Sequence, residues 1–489
     1  MSAGAGALSL EAFPPEVRAT IAALAGSEGG DAWLVGGAVR DAVAGAMPGE
    51  LDVAVPGGAL ARGRALADRL GARFVVLDED RGVCRLVGSV PVDLADFRAP
   101  TIDGDLAARD FTVNALAAPL GALASGRAPL RDPTGGLADL AARVVRLCGP
   151  RALDEDPVRV LRGVRLALRP GWRLDAGVAG AARAAAPGLA AVAAERMRDE
   201  LARILDGPAA ARGLRLLDEL GALAVILPES GPMRATPQPL PHHFDVWEHS
   251  LRAVAAADRL LAEAPARLAR WGQEIAARAD EDLGDGLTRR AAVKLAALLH
   301  DVAKPETRTE EADGRVRFIG HDVTGAARVV GIAERWRLSR RAGTMLEQLV
   351  RHHLRPMHLA QSGPITRRAR HRFFRDLGED AGELLLLALA DAAGLRGDDP
   401  LEVWAGEGGR VLRELQAGAA EERALAAAPP LVTGDDVMAA FSLPSGPVVG
   451  RLLARAREAQ ALGQVATREE ALALLAREPP ALDTPETDS

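Results

Sequence analysis

The sequence contains no tyrosine and only two cysteines, Cys84 and Cys148, in 489 residues. Two cysteines give no disulfide framework, which excludes a small secreted fold held by bridges. No uninterrupted apolar run approaches the roughly 18 residues that a membrane helix needs. Residues 1–17 lack the basic start and long apolar core of a signal peptide. We therefore expect a cytoplasmic protein without a membrane span.

Lysine is nearly absent, and arginine carries almost all of the positive charge. Lys294 and Lys304 are the only lysines, and the formal net charge is −7. A negative net charge gives no attraction for nucleic acid over the whole molecule, so such binding must rest on local patches. Arginines outnumber acids between residues 143 and 215, which makes this stretch the candidate patch.

The length of the chain exceeds that of one ordinary core and predicts several domains. The first 145 residues contain five strand patterns that alternate with helix patterns: AWLV (32–35), LDVAV (51–55), RFVVL (73–77), GVCRLVG (82–88) and PVDLADF (91–97). Helical periodicity follows beyond residue 150. A proline-rich segment (227–241) is typical of a linker, and residues 478–489 are typical of a disordered end. We expect an α+β head followed by an extended all-α body. The expected domains are a head (1–145), a helical neck (146–232), a further helical domain (240–400) and a helical tail (401–489).

Two glycines and two acids lie close together in WLVGGAVRDAVAGAMPGELDVAV, residues 33–55. Glu50 and Asp52 are two positions apart on a predicted strand, so their side chains point to the same face. Adjacent carboxylates repel unless a cation lies between them, and Mg²⁺ binds carboxylates together with substrate phosphates. Gly36 and Gly37 precede a predicted helix, whose first N–H groups can bind phosphate. The pattern predicts a nucleoside triphosphate held by metal.

Four further motifs follow in order: ARDFTVNALA (108–117), RDPTGGLADL (131–140), LDEDPVRVLRGVRLALR (153–169) and AAERMRDELARIL (193–205). With residues 33–55 they resemble the head-and-neck motifs of class II tRNA nucleotidyltransferases and bacterial poly(A) polymerases, in the DNA polymerase beta superfamily. The resemblance implies template-independent addition of C and/or A to the tRNA 3′ end from CTP and ATP, with Mg²⁺ in the head.

The resemblance also implies residue roles. Glu50 and Asp52 would be catalytic metal ligands, and Asp93 a supporting third carboxylate. The implied nucleotide-binding residues are Gly36, Gly37, Arg40, Arg109, Asp110, Asn114, Asp156, Arg159 and Arg162. Arg162, Arg165, Arg196 and Arg198 are candidate contacts to the tRNA backbone.

Asp156 and Arg159 fall on the family's base-selecting pair, and their chemistry supports that role. We expect them at i and i+3 of one helix, where both side chains reach one side. Asp only accepts hydrogen bonds and Arg only donates them, which matches the amine and the neighbouring ring nitrogen of adenine and cytosine. Uracil and guanine present the reverse pattern. An ordinary helix salt bridge is the alternative.

The sequence departs from the family in two places. Glu50 stands where the family usually has Asp, and catalytic geometry tolerates little displacement. Only APTIDGDLA (99–107) separates Arg98 from the next motif, whereas many members carry a longer flexible loop linked to adding the final A. A C-only or A-only enzyme therefore stays open. So do a poly(A) polymerase on general RNA and a phosphohydrolase with a non-catalytic head.

All nine histidines lie between His242 and His371. Asp301 and Asp391 lie in apolar helical segments, where a carboxylate is costly unless it is paired or bound to metal. Histidine with aspartate suits a divalent transition metal or Mg²⁺. The order H…HD…D resembles the HD superfamily of metal-dependent phosphohydrolases over residues 240–400. The implied ligands are His249, His300, Asp301 and Asp391, with His321, Lys304 and His353 near a substrate phosphate.

Two parts of the body leave alternatives open. The HD-type domain either hydrolyses phosphoesters, as a phosphatase or a 2′,3′-cyclic phosphodiesterase on RNA ends, or only binds RNA. Residues 431–463 resemble the family's tail, where SGPVVG opens a predicted helix that either binds a tRNA phosphate or only packs. The sequence leaves the oligomeric state open.

Overall fold

The computed structural model describes residues 6–28 and 31–477. The chain forms two compact units, Met1–Gly207 with Arg212–Pro228 and Pro208–Ala211 with Glu229–Ser489. The expected head and most of the expected neck lie in the first unit, and the expected HD-type domain and tail lie in the second; the finer division stays a prediction. The main boundary falls in the proline-rich segment 227–241, part of which is helical. The predicted disordered end, residues 478–489, lies outside the described residues.

A six-stranded sheet lies at the centre of the first unit, and five of its strands occur where the sequence predicts them. The strands before residue 228 are β1 (Ala7–Ser9), β2 (Trp33–Val35), β3 (Leu51–Val55), β4 (Arg73–Asp78), β5 (Val83–Val87), β6 (Val92–Asp96), β7 (Ala117–Pro119), β8 (Arg127–Pro129), β9 (Val144–Val145) and β10 (Arg173–Leu174). The sheet has the order β4-β5-β6-β3-β2-β7. The β3–β6 pair is parallel, and the other neighbours are antiparallel.

Short and medium helices complete this part of the chain. They are α1 (Pro15–Glu28), α2 (Gly36–Val43), α3 (Ala59–Leu70), α4 (Ile102–Ala107), α5 (Leu120–Ala124), α6 (Gly136–Ala142), α7 (Ala152–Glu155), α8 (Arg159–Ala167), α9 (Ala176–Ala185), α10 (Ala194–Asp206), α11 (Ala210–Glu219) and α12 (Ala222–Ile226). Apolar side chains of the sheet and of the helices share one core, which includes Leu34, Val39, Leu66 and Leu94. This core fixes the strand ends that carry the candidate site.

The second unit is almost entirely helical. Its helices are α13 (Ser230–Arg234), α14 (Val246–Arg267), α15 (Ala269–Ala279), α16 (Arg289–Leu299), α17 (Lys304–Thr307), α18 (His321–Arg335), α19 (Arg340–His352), α20 (Arg355–Gln361), α21 (Arg367–Leu377), α22 (Ala381–Gly394), α23 (Pro400–Ala405), α24 (Arg410–Ala427), α25 (Gly434–Phe441), α26 (Pro447–Ala461) and α27 (Arg468–Arg477). The tail has its own small apolar cluster, with Val437 and Leu475 fully buried.

The expectation that strands end at residue 150 needs a small correction. In the first unit, β10 pairs with β9. In the second unit, a hairpin joins β11 (Thr309–Glu310) to β12 (Val316–Arg317). Each ladder is two residues long, too short to give an alternating pattern in the sequence. Within the described ranges, no helix is long and apolar enough to cross a membrane.

Candidate active site and metal centre

Three charged side chains lie in one row across the head sheet. In the parallel β3–β6 pair Asp52 is opposite Asp93, and in the antiparallel β5–β6 pair Arg85 is opposite Asp93. Residues directly opposite each other in neighbouring strands point to the same face. The register therefore brings the predicted carboxylates Asp52 and Asp93 together, and it adds an arginine that the sequence interpretation missed.

Glu50 differs slightly from its predicted position. It lies immediately before β3 instead of within it. Its Oε2 is 2.9 Å from Arg85 Nη2, and the same guanidinium contacts Asp93 twice, with Nε 2.6 Å from Oδ1 and Nη2 2.8 Å from Oδ2. The two carboxylates raise the pKa of Arg85 above its usual range. The three predicted acids thus form one cluster, and Arg85 neutralises part of it.

The side chain of Asp52, on β3, lies next to the start of α2 and its two glycines. Gly37 N–H donates to Asp52 Oδ2 at 3.3 Å. Gly36 has a φ of +68°, and a Cβ there would lie 2.9 Å from Asp52 Oδ2 and 3.2 Å from an Arg109 Nη1 atom. Only glycine combines this backbone conformation with so close an approach. The strand-to-helix turn is therefore built around the carboxylate.

The cluster has more negative charge than its surroundings compensate. Burial raises the pKa of Asp52 to about 6, and the charges of Glu50 and Asp93 act in the same direction, while Arg109 opposes them. A divalent cation would stabilise the ionised form of such a group. The oxygen donors suit a hard cation such as Mg²⁺. The residues therefore fit a metal site, as the sequence predicts.

The pKa of Asp52 predicts how stability depends on pH in the protein freed of metal by chelation. The folded-state pKa lies above the unfolded value, so the folded state binds more protons between about pH 4 and pH 6, and stability falls as pH rises through that interval. Asp52→Asn removes this cost, and we expect it to stabilise the metal-free protein at pH 7 by on the order of 2 kcal/mol. Thermal unfolding from pH 4 to pH 8 measures the difference. An equal gain at pH 4 would contradict the explanation.

The contacts of Arg85 with Glu50 and Asp93 lead us to expect that this residue changes the Mg²⁺ concentration that the head needs. Its guanidinium would compete with a metal ion for Glu50 and Asp93, so Arg85→Ala should lower the half-saturating Mg²⁺ concentration for the nucleotide addition that the motif resemblance implies. We expect a shift of about fivefold, since a partly exposed pair contributes about 1 kcal/mol. Rates measured over a Mg²⁺ series test this. Arg81→Ala is the control, because that side chain is 79% exposed. A higher Mg²⁺ requirement in Arg85→Ala would mean that Arg85 supports the metal site.

Four of the predicted nucleotide-binding residues form one hydrogen-bonded chain. Arg40 donates to Asn114, Asn114 donates to Asp110 at 3.1 Å, and Arg162 donates to Asp110 at 3.1 Å. Burial opposes ionisation of Asp110, but Arg162 and hydrogen bonds from Asn114 and Phe111 N–H hold its pKa at about 2. Arg40 and Arg162, at the two ends of this series of hydrogen bonds, are therefore fixed in place. Their positive charge suits phosphate or ribose groups.

The segment that replaces the family's longer loop is ordered. Thr101 caps α4 by accepting from Gly104 N–H. The buried Asp105 accepts from Arg98 N–H at 3.1 Å and from Arg109 Nε at 3.0 Å. These bonds tie residues 99–107 to the predicted nucleotide-binding Arg109. The segment thus contains a short helix, α4, with fixed contacts.

The predicted base-selecting pair comes together, although not on one helix. Asp156 is extended, with φ −153° and ψ 92°, and Arg159 is the first residue of α8. Pro157 explains the difference, because proline disfavours helical conformation in the residue before it. Arg159 Nε still lies 3.9 Å from Asp156 Oδ2. Arg196 also reaches Asp156 Oδ2, at 2.7 Å.

This pair predicts a change of nucleotide selectivity. Asp156→Ala would remove the predicted acceptor for the adenine or cytosine amine, and discrimination against UTP and GTP should fall by about 10- to 100-fold, since one unpaired buried group costs about 1–3 kcal/mol. Misincorporation measured with single nucleotides tests this. Asp154→Ala, an exposed neighbour, is the matched control. Unchanged discrimination in Asp156→Ala would remove this residue from base selection.

The second unit brings all seven predicted HD-type residues together. His249 lies on α14, His300 and Asp301 follow α16, and Asp391 lies on α22. His249 Nε2 is 3.1 Å from His300 Nε2 and 3.0 Å from Asp391 Oδ1, and His300 Nε2 is 3.2 Å from Asp301 Oδ2. Donor atoms this close fit one transition-metal ion. The predicted ligand set therefore fits a divalent metal.

The remaining members surround Asp301. His321 Nε2 is 3.2 Å and His353 Nε2 3.8 Å from Asp301 Oδ1, while Lys304 Nζ is 2.6 Å from Oδ2. Lys304 also donates to Gln238 Oε1 at 2.6 Å, a partner that the sequence interpretation missed. Burial opposes ionisation of Asp301, but the charges of His300 and Lys304 hold its pKa well below the usual range.

Comparisons with known proteins identify the domains in which the two candidate sites lie. Family models match as the Poly A polymerase head domain (residues 32–146), the probable RNA and SrmB-binding site of polymerase A (171–232) and the HD domain (246–393). An A-adding tRNA nucleotidyltransferase of Deinococcus radiodurans is 38% identical over 91% of this chain and 94% of the relative. The chain belongs to the tRNA nucleotidyltransferase family.

A second member of the tRNA nucleotidyltransferase family, a CC-adding enzyme of Thermus thermophilus, is 36% identical over 91% of this chain and 93% of its own. An apo structure of a CCA-adding enzyme has the same fold, with a TM-score of 0.62 at 18% identity over 98% of each chain. The resemblance inferred from the ordered motifs is confirmed, as is a head with a sheet followed by a helical body. The chain is a nucleotidyltransferase with an HD domain, and both kinds of domain depend on divalent metal.

Proposed function

We propose that this nucleotidyltransferase adds C and/or A to the 3′ end of tRNA from CTP and ATP, with Mg²⁺ in the head. The observation that supports it is the cluster of Glu50, Asp52 and Asp93 beside the Gly36–Gly37 turn. Such a cluster can hold metal and triphosphate together. The names of the relatives supply the tRNA substrate, since they act on tRNA.

Different residues of the head would have different roles in the reaction. Glu50, Asp52 and Asp93 would hold the metal ions, which when bound make the RNA 3′-hydroxyl a better nucleophile and stabilise the leaving pyrophosphate. The Gly36–Gly37 turn and the Arg40 guanidinium would lie beside the phosphate oxygens. A Cβ at Gly37 would come within 3.4 Å of Arg40 Nη2, so the guanidinium borders the turn closely.

Base selection would need no nucleic-acid template. Asp156 accepts from the base amine and Arg159 donates to the neighbouring ring nitrogen, which suits C and A and leaves U and G unpaired. Arg159 Nη1 also donates to Ala152 O at 2.9 Å. That bond fixes the orientation of the guanidinium, which would increase the discrimination between matching and non-matching bases.

We further infer that the enzyme performs one part of CCA addition, C addition or A addition. Residues 99–107 consist of a short lead-in and the helix α4 (Ile102–Ala107), which leaves no long loop between β6 and Arg109. The two relatives reported above are each named for a single part, one for adding A and one for adding CC.

The HD domain supports a second activity, hydrolysis of phosphoesters. Its buried histidine and aspartate donors fit a metal that can activate water, and Lys304 lies beside them. A phosphate at the end of a damaged RNA is the substrate class that would complement nucleotide addition.

A poly(A) polymerase acting on general RNA is the second candidate, because two of the matched models describe polymerase A. Products from a tRNA lacking its 3′ end and from an unstructured RNA oligonucleotide, each with all four nucleotides, separate the two. We expect a few residues of C and/or A on tRNA and no extension of the oligonucleotide. Long A tails on the oligonucleotide would favour the polymerase. A tRNA already ending in CCA is the control.

A further inference from the structure

Asp41 connects two arginines of the first unit, and the sequence interpretation assigned it no role. Arg40 Nε lies 2.9 Å from Asp41 Oδ1, and Arg40 Nη2 lies 2.8 Å from Oδ2. Arg169 Nη1 donates to the same Oδ1 at 2.8 Å. Neighbouring side chains on a helix normally point in different directions, so this contact requires the Arg40 side chain to fold back. Asp41 thus forms a bridge between two guanidinium groups.

The Asp41 carboxylate is ionised in this position. Burial opposes its ionisation, but the hydrogen bonds and charges of Arg40 and Arg169 hold the pKa of Asp41 below its usual range. The side chains of Arg40 and Asp41 are only 9% and 17% exposed. Hydrogen bonds between charged groups are strong, and they are stronger where water is largely excluded. The contacts therefore fix the plane of the Arg40 guanidinium.

Arg40 keeps donors for a ligand in spite of these bonds. A guanidinium has five N–H groups, of which two here donate to Asp41 and one, on Nη1, donates to Asn114 Oδ1. A Cβ at Gly37 would lie 3.4 Å from Arg40 Nη2, so this nitrogen borders the glycine turn. Asp41 thus holds Arg40 with a donor nitrogen next to the predicted position of the phosphate groups.

The bridge also closes a ring with the helix that carries the predicted base-selecting Arg159. Arg159 is the first residue of α8, Arg162 lies on the same helix, and Arg169 comes two residues after its end. Arg162 is joined to Arg40 by the series of hydrogen bonds described above, and Arg169 is joined to Arg40 through Asp41. Because two separate connections tie α8 to Arg40, a displacement of the helix also displaces the guanidinium.

We propose that Asp41 and Arg169 are positioning residues that couple the binding of the triphosphate by Arg40 to the recognition of the base at α8. Asp41 orients the Arg40 guanidinium toward the phosphate groups, and Arg169 fixes Asp41 relative to α8. A base that does not pair at α8 displaces the helix, so the nucleotide also loses part of its phosphate contact with Arg40. This inference rests on the proposed binding of nucleotide by the head, and it makes the phosphate contact a part of base selection.

Calorimetric titration of the full chain with CTP, ATP or UTP, in the presence of Mg²⁺ and without tRNA, tests the coupling. Asp41→Asn removes the charge between the two arginines, and Arg169→Ala removes one of the arginines. In each variant the dissociation constant of the preferred nucleotide, CTP or ATP, should rise about fivefold, the size typical of a partly exposed ion pair. Binding of UTP should change less, so the preference over UTP should fall.

Two further results separate a positioning role from damage to the fold. Misfolded protein lowers the number of sites per chain and leaves the affinity of the remaining sites unchanged. Arg169→Lys keeps the positive charge beside Asp41 and should restore most of the affinity that Arg169→Ala loses. The double variant Asp41→Asn with Arg169→Ala should bind nucleotide as weakly as Asp41→Asn alone, because Arg169 acts through Asp41.

The control variant is Arg69→Ala, because Arg69 is exposed on α3 of the same unit, and it should bind all three nucleotides normally. Unchanged affinity in Asp41→Asn and Arg169→Ala would overturn the proposal, as would an equal weakening for UTP and for the preferred nucleotide. Fewer sites of unchanged affinity would overturn it as well. The proposed function fails separately, since a chain that shows the expected binding but does not extend tRNA would contradict only nucleotide addition.

Discussion

Asp52→Asn should reduce the rate of nucleotide addition by about 10³-fold or more. Asp52 is the central carboxylate of the head, with Gly37 N–H on one side and Glu50 and Asp93 nearby. The amide keeps the size of the side chain but removes the charge that would hold a metal ion. Losing one fixed electrostatic contact to a reacting group costs about 10²–10³-fold, and loss of a metal ligand exceeds that. Single-turnover extension of tRNA measures the effect.

Asp68→Asn is the matched control for Asp52→Asn, because Asp68 is exposed on α3 of the same unit. It should extend tRNA at the normal rate. The metal content of the HD domain should be unchanged in both variants. Extension by Asp52→Asn at near the normal rate would show that the head assignment is wrong.

His300→Ala should produce the opposite pattern, with loss of the HD metal and of phosphoester hydrolysis while tRNA extension continues. His300 contacts Asp301 and Asp391 and is fully buried. Removing one ligand from a site with few ligands should weaken metal binding by at least about 100-fold, since even a supporting residue outside the ligand shell contributes 10–100-fold. Asp301 and Asp391 then lose both the contact with the His300 ring and the metal ion, so thermal stability should also fall.

Metal content after desalting, hydrolysis of a phosphoester and tRNA extension are measured on the same sample of His300→Ala. The control is His358→Ala, because His358 is exposed on α20 outside the predicted HD site, and this variant should keep all three properties. A sample that hydrolyses phosphoester normally after losing His300 would exclude this centre as the hydrolytic site. Loss of extension together with hydrolysis would show that the two sites are not independent.

The head illustrates what could be predicted from the sequence. The alternation of apolar residues located five strands, and the Gly-Gly pair located the turn into α2. The contact of Arg85 with Asp93 could not be predicted, because it depends on the register between β5 and β6, which the sequence alone does not determine. The helical placement of Asp156 was wrong for a reason that the sequence did contain, since Pro157 follows it directly.

In the HD domain, too, some features of the site could be predicted from the sequence and others could not. Histidines confined to one third of the chain and acids in apolar helices predicted a metal centre, and the structure brings His249, His300, Asp301 and Asp391 together. The division of the Asp301 oxygens between two histidine pairs could not be predicted, because it depends on side-chain orientation. The same holds for Gln238, which reaches Lys304 across 66 positions of sequence.

Extension of three tRNA transcripts tests the central claim most directly. The transcripts end before CCA, after the first C and after CC, and each is incubated with labelled CTP or labelled ATP. The account predicts one of two patterns, either C added to the first two transcripts and no A, or A added only to the transcript ending in CC. Stepwise completion of CCA would contradict the inference of a partial enzyme. No extension of any transcript would contradict nucleotide addition to tRNA.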